Sequence, residues 1–403
     1  MNYQLNEKVT YIIKTLNNQG FEANIVGGCV RDILLSREPS DFDINTNATP
    51  NQVLEVFKNH KIFKTGLKHG TVTLVLDNEN FEITTYRIDG NYIDYRRPET
   101  VKFSLNLKDD LNRRDFTINA LAYNNKDGLI DFNNGQNDLK NKLIRCVGNP
   151  YIRFEEDALR ILRAIRFAST LGFKIEKDTQ KAIFDKKHLL SNISIERIYI
   201  ELLKTLMGEY VYNVLPLYKE IIEIFIPEFK YVAEYKFIEN LKHLSKEKKD
   251  KSIILAIFLQ PVEEYKSILK RLKTDNKTYQ ETSFLIEHYY HLIALDNIDM
   301  RFNLNKMGKT MFAKLLRFQF YVEHIDKSYY ELCLSTLDYI KENNLPYQLK
   351  DLAIDGNDIK KFGFIDEEIS IQLNKILSLV IKNQLLNTKK DIYNYLNTNN
   401  IKP

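Results

Sequence analysis

Two hydrophobic periods share the first 150 residues. Val9–Asn17 spaces its apolar residues as a helix does, and Val53–Lys58 does so after Thr49-Pro50, a helix-start pair. Elsewhere the period falls to two. Ala23–Val26 reads as extended, and Val101–Leu105 alternates apolar with polar. Val72–Leu76 and Phe81–Tyr86 are β-type runs joined by a hairpin turn, Asp77-Asn78-Glu79-Asn80. Residues 87–99, with Gly90, Pro98 and several charges, read as a mobile loop between strands. From Pro150 onward strand patterns nearly vanish. Helical spacing takes over in Ala158–Ala168, Ile195–Met207 and Ile253–Phe258, punctuated by Pro216, Pro227 and Pro261. The pattern predicts an α+β part up to a boundary near 150 and an all-helical part beyond it, with no internal repeat.

Composition narrows the class. The chain has 403 residues, 44% apolar and 28% charged, which suits a soluble globular protein of two or more units. A net charge of +4, from 58 basic and 54 acidic side chains, neither requires nor excludes a nucleic-acid partner. Cys29, Cys146 and Cys333 lie far apart without metal-ligand spacing, as expected of a reduced, cytoplasmic protein. Residues 1–7 show no signal-peptide pattern, and no apolar run is long enough to cross a bilayer, so no membrane role is expected. The seven histidines include no His-Asp dipeptide, and of them only His288 and His291 are close in sequence. That argues against a histidine-based metal hydrolase.

The candidate chemistry begins at Gly27-Gly28-Cys29-Val30-Arg31-Asp32, which follows the apolar pair Ile25-Val26 and opens a helix. A strand, paired glycines and a helix start let backbone N–H groups approach phosphate oxygens. Asp41-Phe42-Asp43 comes next. On a strand its two carboxylates would project side by side, a hard oxygen pair of the kind that holds Mg²⁺ beside substrate phosphates. A D-x-D alone is usually a solvated turn; after the glycine pair it suggests chemistry on a nucleoside triphosphate, with metals assisting the attacking hydroxyl and the pyrophosphate. Glu82 is a possible third carboxylate, and equally an exposed strand glutamate. Arg31 can reach a phosphate as a bidentate donor. Residues 110–122 read as one helix with Asp110 near its N-cap, and Arg113 and Arg114 near its start oppose the helix dipole, so an anionic partner is expected. Arg114 suits a triphosphate, and Arg113 suits that or a structural ion pair.

Glu156–Arg166 is the second informative block. Asp157 and Arg160 are three residues apart, hence neighbours on one helix side. An ordinary ion pair is one reading. The sharper one is base selection: aspartate accepts from an exocyclic amino group, and arginine donates to a ring nitrogen or carbonyl. Cytosine and adenine both offer an amino group beside an acceptor, whereas uracil and guanine present a carbonyl there. A mismatch would leave buried polar groups unpaired. Arg163 and Arg166 continue around the helix toward phosphates or form a solvated face.

Taken in order, Gly27–Asp32, Asp41–Asp43, Arg113–Ala120 and Glu156–Arg160 resemble the motif series of class II tRNA nucleotidyltransferases, the CCA-adding enzymes, which share a head with bacterial poly(A) polymerases. Asp131–Gly135, Asp138-Leu139 and Leu143–Gly148 resemble the stretch that joins head to neck, and Ile354–Ile359 the tail of the Gram-positive type. The resemblance implies a polymerase-β-type head, a mixed sheet with helices, over 1–150. It implies a helical neck over 151–210, a helical body over 211–300 and a helical tail over 301–403 that holds tRNA. It implies Asp41 and Asp43 as Mg²⁺ ligands, and Gly28, Arg31, Arg114, Asp157, Arg160, Arg163 and Arg166 as the CTP- and ATP-binding residues. The loop at 87–99, with Asp94, Arg96 and Arg97, resembles the element tied to the change from C to A addition. Residues 381–403, with four Lys and one Asp, fit phosphate contacts or a solvated helix end. A homodimer is implied by analogy with some relatives. Competing expectations are a poly(A) polymerase, a CC-only or A-only enzyme, and a catalytically inert RNA-binding protein. The complete carboxylate pair and arginine set argue against the last.

Overall fold

The computed structural model describes residues 5–399 except 65, 91, 94–96, 99, 248 and 294; the side chains of 92, 93, 97, 98 and 399 also lie outside the description. The chain divides into two compact units, Met1–Lys248 with Pro261–Thr274, and Lys249–Gln260 with Asp275–Pro403.

The first unit opens with helix α1 (Glu7–Asn18), whose Asn6 side chain caps it by accepting from Val9 N–H, and whose Val9, Ile12, Ile13 and Leu16 form one buried face. Strand β1 (Ala23–Val26), helix α2 (Gly28–Leu34), strand β2 (Asp43–Thr46) and helix α3 (Pro50–Val56) follow. A capping box between Thr49 and Gln52, with Pro50 in the first turn, starts α3 where the sequence predicts a helix. Strands β3 (Lys61–Phe63), β4 (Thr71–Leu76) and β5 (Glu79–Thr85) complete one half of the sheet. The β4–β5 turn is two residues long: Leu76 pairs with Glu79, and Asp77 and Asn78 both take positive φ, 47° and 64°. That is the geometry a tight hairpin demands.

Described parts of the 87–99 segment expected as a loop are strands. Strand β6 (Arg87–Asp89) pairs antiparallel with β9 (Val101–Phe103), and β7 (Tyr92–Ile93) with β8 (Arg97–Pro98). Asp94 and Arg96 lie outside the described residues, as does the side chain of Arg97.

The single helix expected over 110–122 is three elements instead. Helix α4 (Leu107–Asn112) is capped by Asn106, a 3-10 turn spans Thr117–Asn119, and strand β10 (Leu121–Asn124) enters the sheet. All four residues of β10 are buried, so its apolar run lacks the alternation that marks a half-exposed strand. Arg113 consequently sits at the C-cap of α4, where its charge favours the helix dipole rather than opposing it.

With β11 (Gly128–Asp131) the sheet has seven strands in the order β11-β10-β1-β2-β5-β4-β3; β2 and β5 run parallel and the other neighbouring pairs antiparallel. Ile25, Ile44 and Ile83 stand opposite one another on β1, β2 and β5 and are fully buried. Side chains alternate along a strand, so Asp43 and Glu82, one residue earlier in each, project from the other face. The row of isoleucines thus places the carboxylates. Asp41 precedes β2 and is not a strand residue, so the strand alternation expected to align it with Asp43 does not apply.

Helices α5 (Gly135–Lys140), α6 (Pro150–Glu156), α7 (Leu159–Leu171), α8 (Lys177–Lys186) and α9 (Ile195–Leu206) continue this unit. Asp131 starts α5 by accepting from Asn133, Gly135 and Gln136 N–H groups. The helix predicted across Asp157 is broken: Asp157 takes extended angles, φ −141° and ψ 101°, between α6 and α7. Helix α7 packs on α9, and polar contacts join them: Ser169 Oγ donates to the Thr205 carbonyl at 2.7 Å, and Arg166 meets Glu201.

The second unit is helical among its described residues. Lys251–Leu259 is apolar and buried from Ser252 onward, and Asn297–Tyr321 bends at Gly308, whose φ is 75°. Leu352, Ile354, Ile359, Ile376, Leu377, Val380, Ile381, Ile392 and Leu396 make one core cluster. Asp355 and Asp358 form a capping box at Gly356–Lys360. His288 Nδ1 donates to the Phe284 carbonyl and His291 Nε2 to Asn303 Oδ1, so both rings are held by protein groups. Among the described residues, no helix is long and apolar enough to cross a membrane.

Candidate active site

Gly27 ends β1 with φ +82°, a conformation side chains rarely adopt, and donates its N–H to the Leu121 carbonyl at 3.0 Å. A Cβ at this position would meet Arg114 Nη1 at 2.8 Å. The glycine therefore lets the Arg114 guanidinium lie against the turn. Arg31, one turn along α2, donates from Nη1 to Asn119 Oδ1 at 2.6 Å and from Nε to Asp32 at 2.9 Å. Asn119, 88 positions from Arg31 in sequence, and the adjacent Asp32 thus hold the Arg31 guanidinium in place.

Beside this turn, Asp43 and Glu82 are paired in register across β2 and β5, and both reach solvent. Surrounding protein raises the Asp43 carboxyl pKa; Arg114 opposes this, and the charges of Asp41 and Glu82 add to it. Mutual repulsion among carboxylates is what a bound divalent cation relieves, so the Asp41–Asp43 pair suits a hard metal ion by its chemistry. Among the described residues, no group of three or more His, Cys, Asp and Glu side chains is arranged to hold a metal ion. Cys29 next to them is buried, and burial, with the Asp43 charge, pushes its thiol up to about 11, so it is no nucleophile at neutral pH.

A buried carboxylate organises the arginines that follow. Asp110 is fully buried and binds Arg113 at 2.7 Å, Arg114 at 3.2 Å and the Asn45 amide at 3.0 Å. Burial works against its charge, but Arg114 and Arg113 outweigh it and hold the carboxyl below the usual range. Arg113 also lies 3.7 Å from Asp89, at the end of β6. Asp115 accepts from Arg163 Nε and Nη2, from Asn119 and from the Phe116 N–H.

The α6–α7 region departs from expectation. The Arg160 N–H donates to the Asp157 carbonyl at 3.0 Å, while both side chains reach other residues. Arg160, 7% exposed, donates to Glu156 at 2.6 Å, to the Arg153 carbonyl at 3.2 Å and to the Arg113 carbonyl at 3.1 Å. Asp157 instead receives Arg197 Nη2 at 2.9 Å and the Leu159 N–H at 3.1 Å. Arg166 Nε lies 3.0 Å from Glu201, and Arg163 3.9 Å from it. The guanidiniums of Arg166, Arg31 and Arg163 gather on the Phe167 ring at 4.1, 5.1 and 5.6 Å from its centroid. Arg197, Glu201 and Phe167 were not among the predicted site residues. The one signal available was the i,i+4 spacing of Arg197 and Glu201 on an otherwise amphipathic helix, and their partners are distant in sequence.

Residues 23–145 match the poly A polymerase head domain, and residues 172–232 match the probable RNA- and SrmB-binding site of polymerase A. The fold and these matches define a nucleotidyltransferase with a polymerase-β-type head and a helical remainder. A CCA-adding enzyme of Oceanobacillus iheyensis is 36% identical over 98% of this chain and 98% of its own length. The structure of the Bacillus stearothermophilus CCA-adding enzyme in complex with CTP superposes with a TM-score of 0.78 at 27% identity, covering 97% of this chain and 96% of that one. A tRNA nucleotidyltransferase complexed with a primer tRNA and an incoming ATP analog superposes with a TM-score of 0.64 at 27% identity, covering 83% of this chain and all of that one. The chain belongs to the CCA-adding enzymes, in the poly(A) polymerase family.

Proposed function

We propose that this protein adds C, C and A to the 3′ end of tRNA from CTP and ATP without a nucleic-acid template. The observation that carries the reading is the extent of the kinship, which runs nearly end to end rather than stopping at a head shared with poly(A) polymerases. In each cycle the 3′-oxygen of the RNA bonds to the α-phosphorus of the triphosphate. The bond from that phosphorus to the bridging oxygen breaks, pyrophosphate leaves, and the hydroxyl proton is lost.

Asp41 and Asp43 would hold Mg²⁺, with Glu82 beside them as a further carboxylate. When bound, the metal supplies a lower pKa for the attacking hydroxyl and charge neutralisation for pyrophosphate. Gly28, Arg31, Arg114, Arg163 and Arg166 line the phosphate side, and the Phe167 ring keeps three of those cations together. Asp157 accepts the exocyclic amino group of cytosine or adenine. Arg160 donates to the neighbouring acceptor by exchanging one of its bonds to Glu156 or to the Arg113 and Arg153 carbonyls. The division into head (1–150), neck (151–210), body (211–300) and tail (301–403), a tail contact with tRNA, assembly as a homodimer and a cytoplasmic location belong to the same proposal.

The test is extension of a tRNA lacking its last three nucleotides, resolved one nucleotide at a time. CTP alone is expected to give two additions, and CTP with ATP three and a stop. Two additions with no A when both are present would make it a CC-only enzyme.

A further inference from the structure

Helix α9 carries Arg197 and Glu201 four residues apart, hence on one face. Each reaches a different part of the nucleotide site. Arg197 Nη2 contacts both Asp157 oxygens, at 2.9 and 3.3 Å. Glu201, 5% exposed, meets Arg166 at 3.0 Å and Arg163 at 3.9 Å. Asp157 needs such a partner. It sits in extended conformation in the break between α6 and α7, where the Leu159 N–H at the start of α7 holds one carboxylate oxygen, and Arg160 donates to Glu156 and the Arg113 carbonyl.

The Arg197 contact is a poor device for stability. Its Nη1 is buried and has no hydrogen-bond partner among the described residues. A buried donor left unmade is destabilising, and a partly buried ion pair is often no better than an apolar replacement. The arrangement makes sense if what matters is the orientation and charge of the Asp157 carboxylate. We propose that Arg197 is a positioning residue for base selection: it holds Asp157 as a charged acceptor aimed at one place, while Glu201, one turn on, sets Arg166 and Arg163. This rests on the reading that Asp157 meets the base.

The experiment compares kcat/KM for CTP against UTP on a tRNA lacking CCA, in the full-length enzyme and in Arg197→Gln, Arg197→Lys, Asp157→Ala and the Arg197→Gln/Asp157→Ala double variant. Arg197→Gln is expected to lower the CTP-to-UTP ratio by about tenfold or more, because a misplaced acceptor no longer rejects the wrong edge. Arg197→Lys, which keeps the charge but not the fork, should fall between it and the wild type. The double variant should be no less selective than Asp157→Ala alone, as expected of residues that act as one unit. A purely structural role would lower turnover and Tm and leave the ratio untouched. If Asp157→Ala relaxes the ratio and both Arg197 variants keep it, the proposal is overturned while base reading by Asp157 stands. If Asp157→Ala itself keeps the ratio, base reading fails and this proposal with it.

Discussion

Arg163 grips Asp115 with two nitrogens, Nε at 2.8 Å and Nη2 at 2.6 Å, and so binds helix α7 to the turn that follows α4. The pair joins residues 48 positions apart and places Arg163 beside Asn119, which shares the Asp115 carboxylate. Burial works against the Asp115 charge, yet Arg163, with the Asn119 amide, brings its carboxyl down to about 2. A carboxyl pKa lowered on folding stabilises the protein above its unfolded value, near 4. That contribution, about 2 kcal/mol, is lost as pH falls toward 2. Asp115→Asn should therefore lower stability at pH 7 by an amount of this order and flatten the acid limb between pH 4 and 2. Urea melts at pH 7, 4 and 2.5 check it; an unchanged acid limb would mean that the pair is not formed.

Gly27→Ala should act on Arg114. The new Cβ meets its Nη1 at 2.8 Å, and φ of +82° is costly for alanine, by about 1–2 kcal/mol. The guanidinium must move away from the turn. A rise in KM for CTP and ATP of about tenfold is expected, with tRNA affinity little changed. Steady-state kinetics and tRNA titration separate the two; an equal loss of tRNA binding would place Arg114 outside the triphosphate site.

Arg160→Ala removes a side chain that holds two carbonyls and a carboxylate. Leaving those groups without their donor should cost about 2–3 kcal/mol of stability. The same change should narrow the gap between CTP and UTP more than it weakens tRNA binding. Thermal melts with single-nucleotide kinetics test both, and equal loss with every triphosphate at unchanged selectivity would contradict base contact by Arg160.

Asp43→Ala should abolish transfer and leave tRNA affinity nearly intact, since its side chain reaches solvent beside Glu82 and supports no described part of the core. Removing divalent metal with a chelator should have the same effect on the wild type without lowering Tm, and added Mg²⁺ should restore transfer to the wild type only. A large fall in tRNA binding by the variant would make Asp43 a structural residue.

Much of the head was legible because local rules act within a few residues. Thr49 and Gln52 cap α3 as their spacing says, and Asp77-Asn78 make the turn that aligns β4 with β5. The 110–122 segment was misread for a physical reason: β10 is central and buried throughout, so its pattern has no period of two, and Arg113 at a helix end looked like Arg113 at a helix start. Asp157 and Arg160 stand out in the sequence, and their spacing suggests a mutual pair. The chain breaks its helix at Asp157, and each then finds a partner that sequence spacing cannot reveal, Arg197 for one and the Arg113 carbonyl for the other. Contacts of this kind span 40 to 48 positions, beyond any local pattern.

The most direct test of the account is to sequence the 3′ ends formed when the enzyme, Mg²⁺ and all four triphosphates meet an equimolar mixture of tRNA lacking CCA and an unrelated RNA. The account predicts CCA and nothing further on the tRNA, with the other RNA unextended. Runs of A on both RNAs would contradict it and make the protein a poly(A) polymerase.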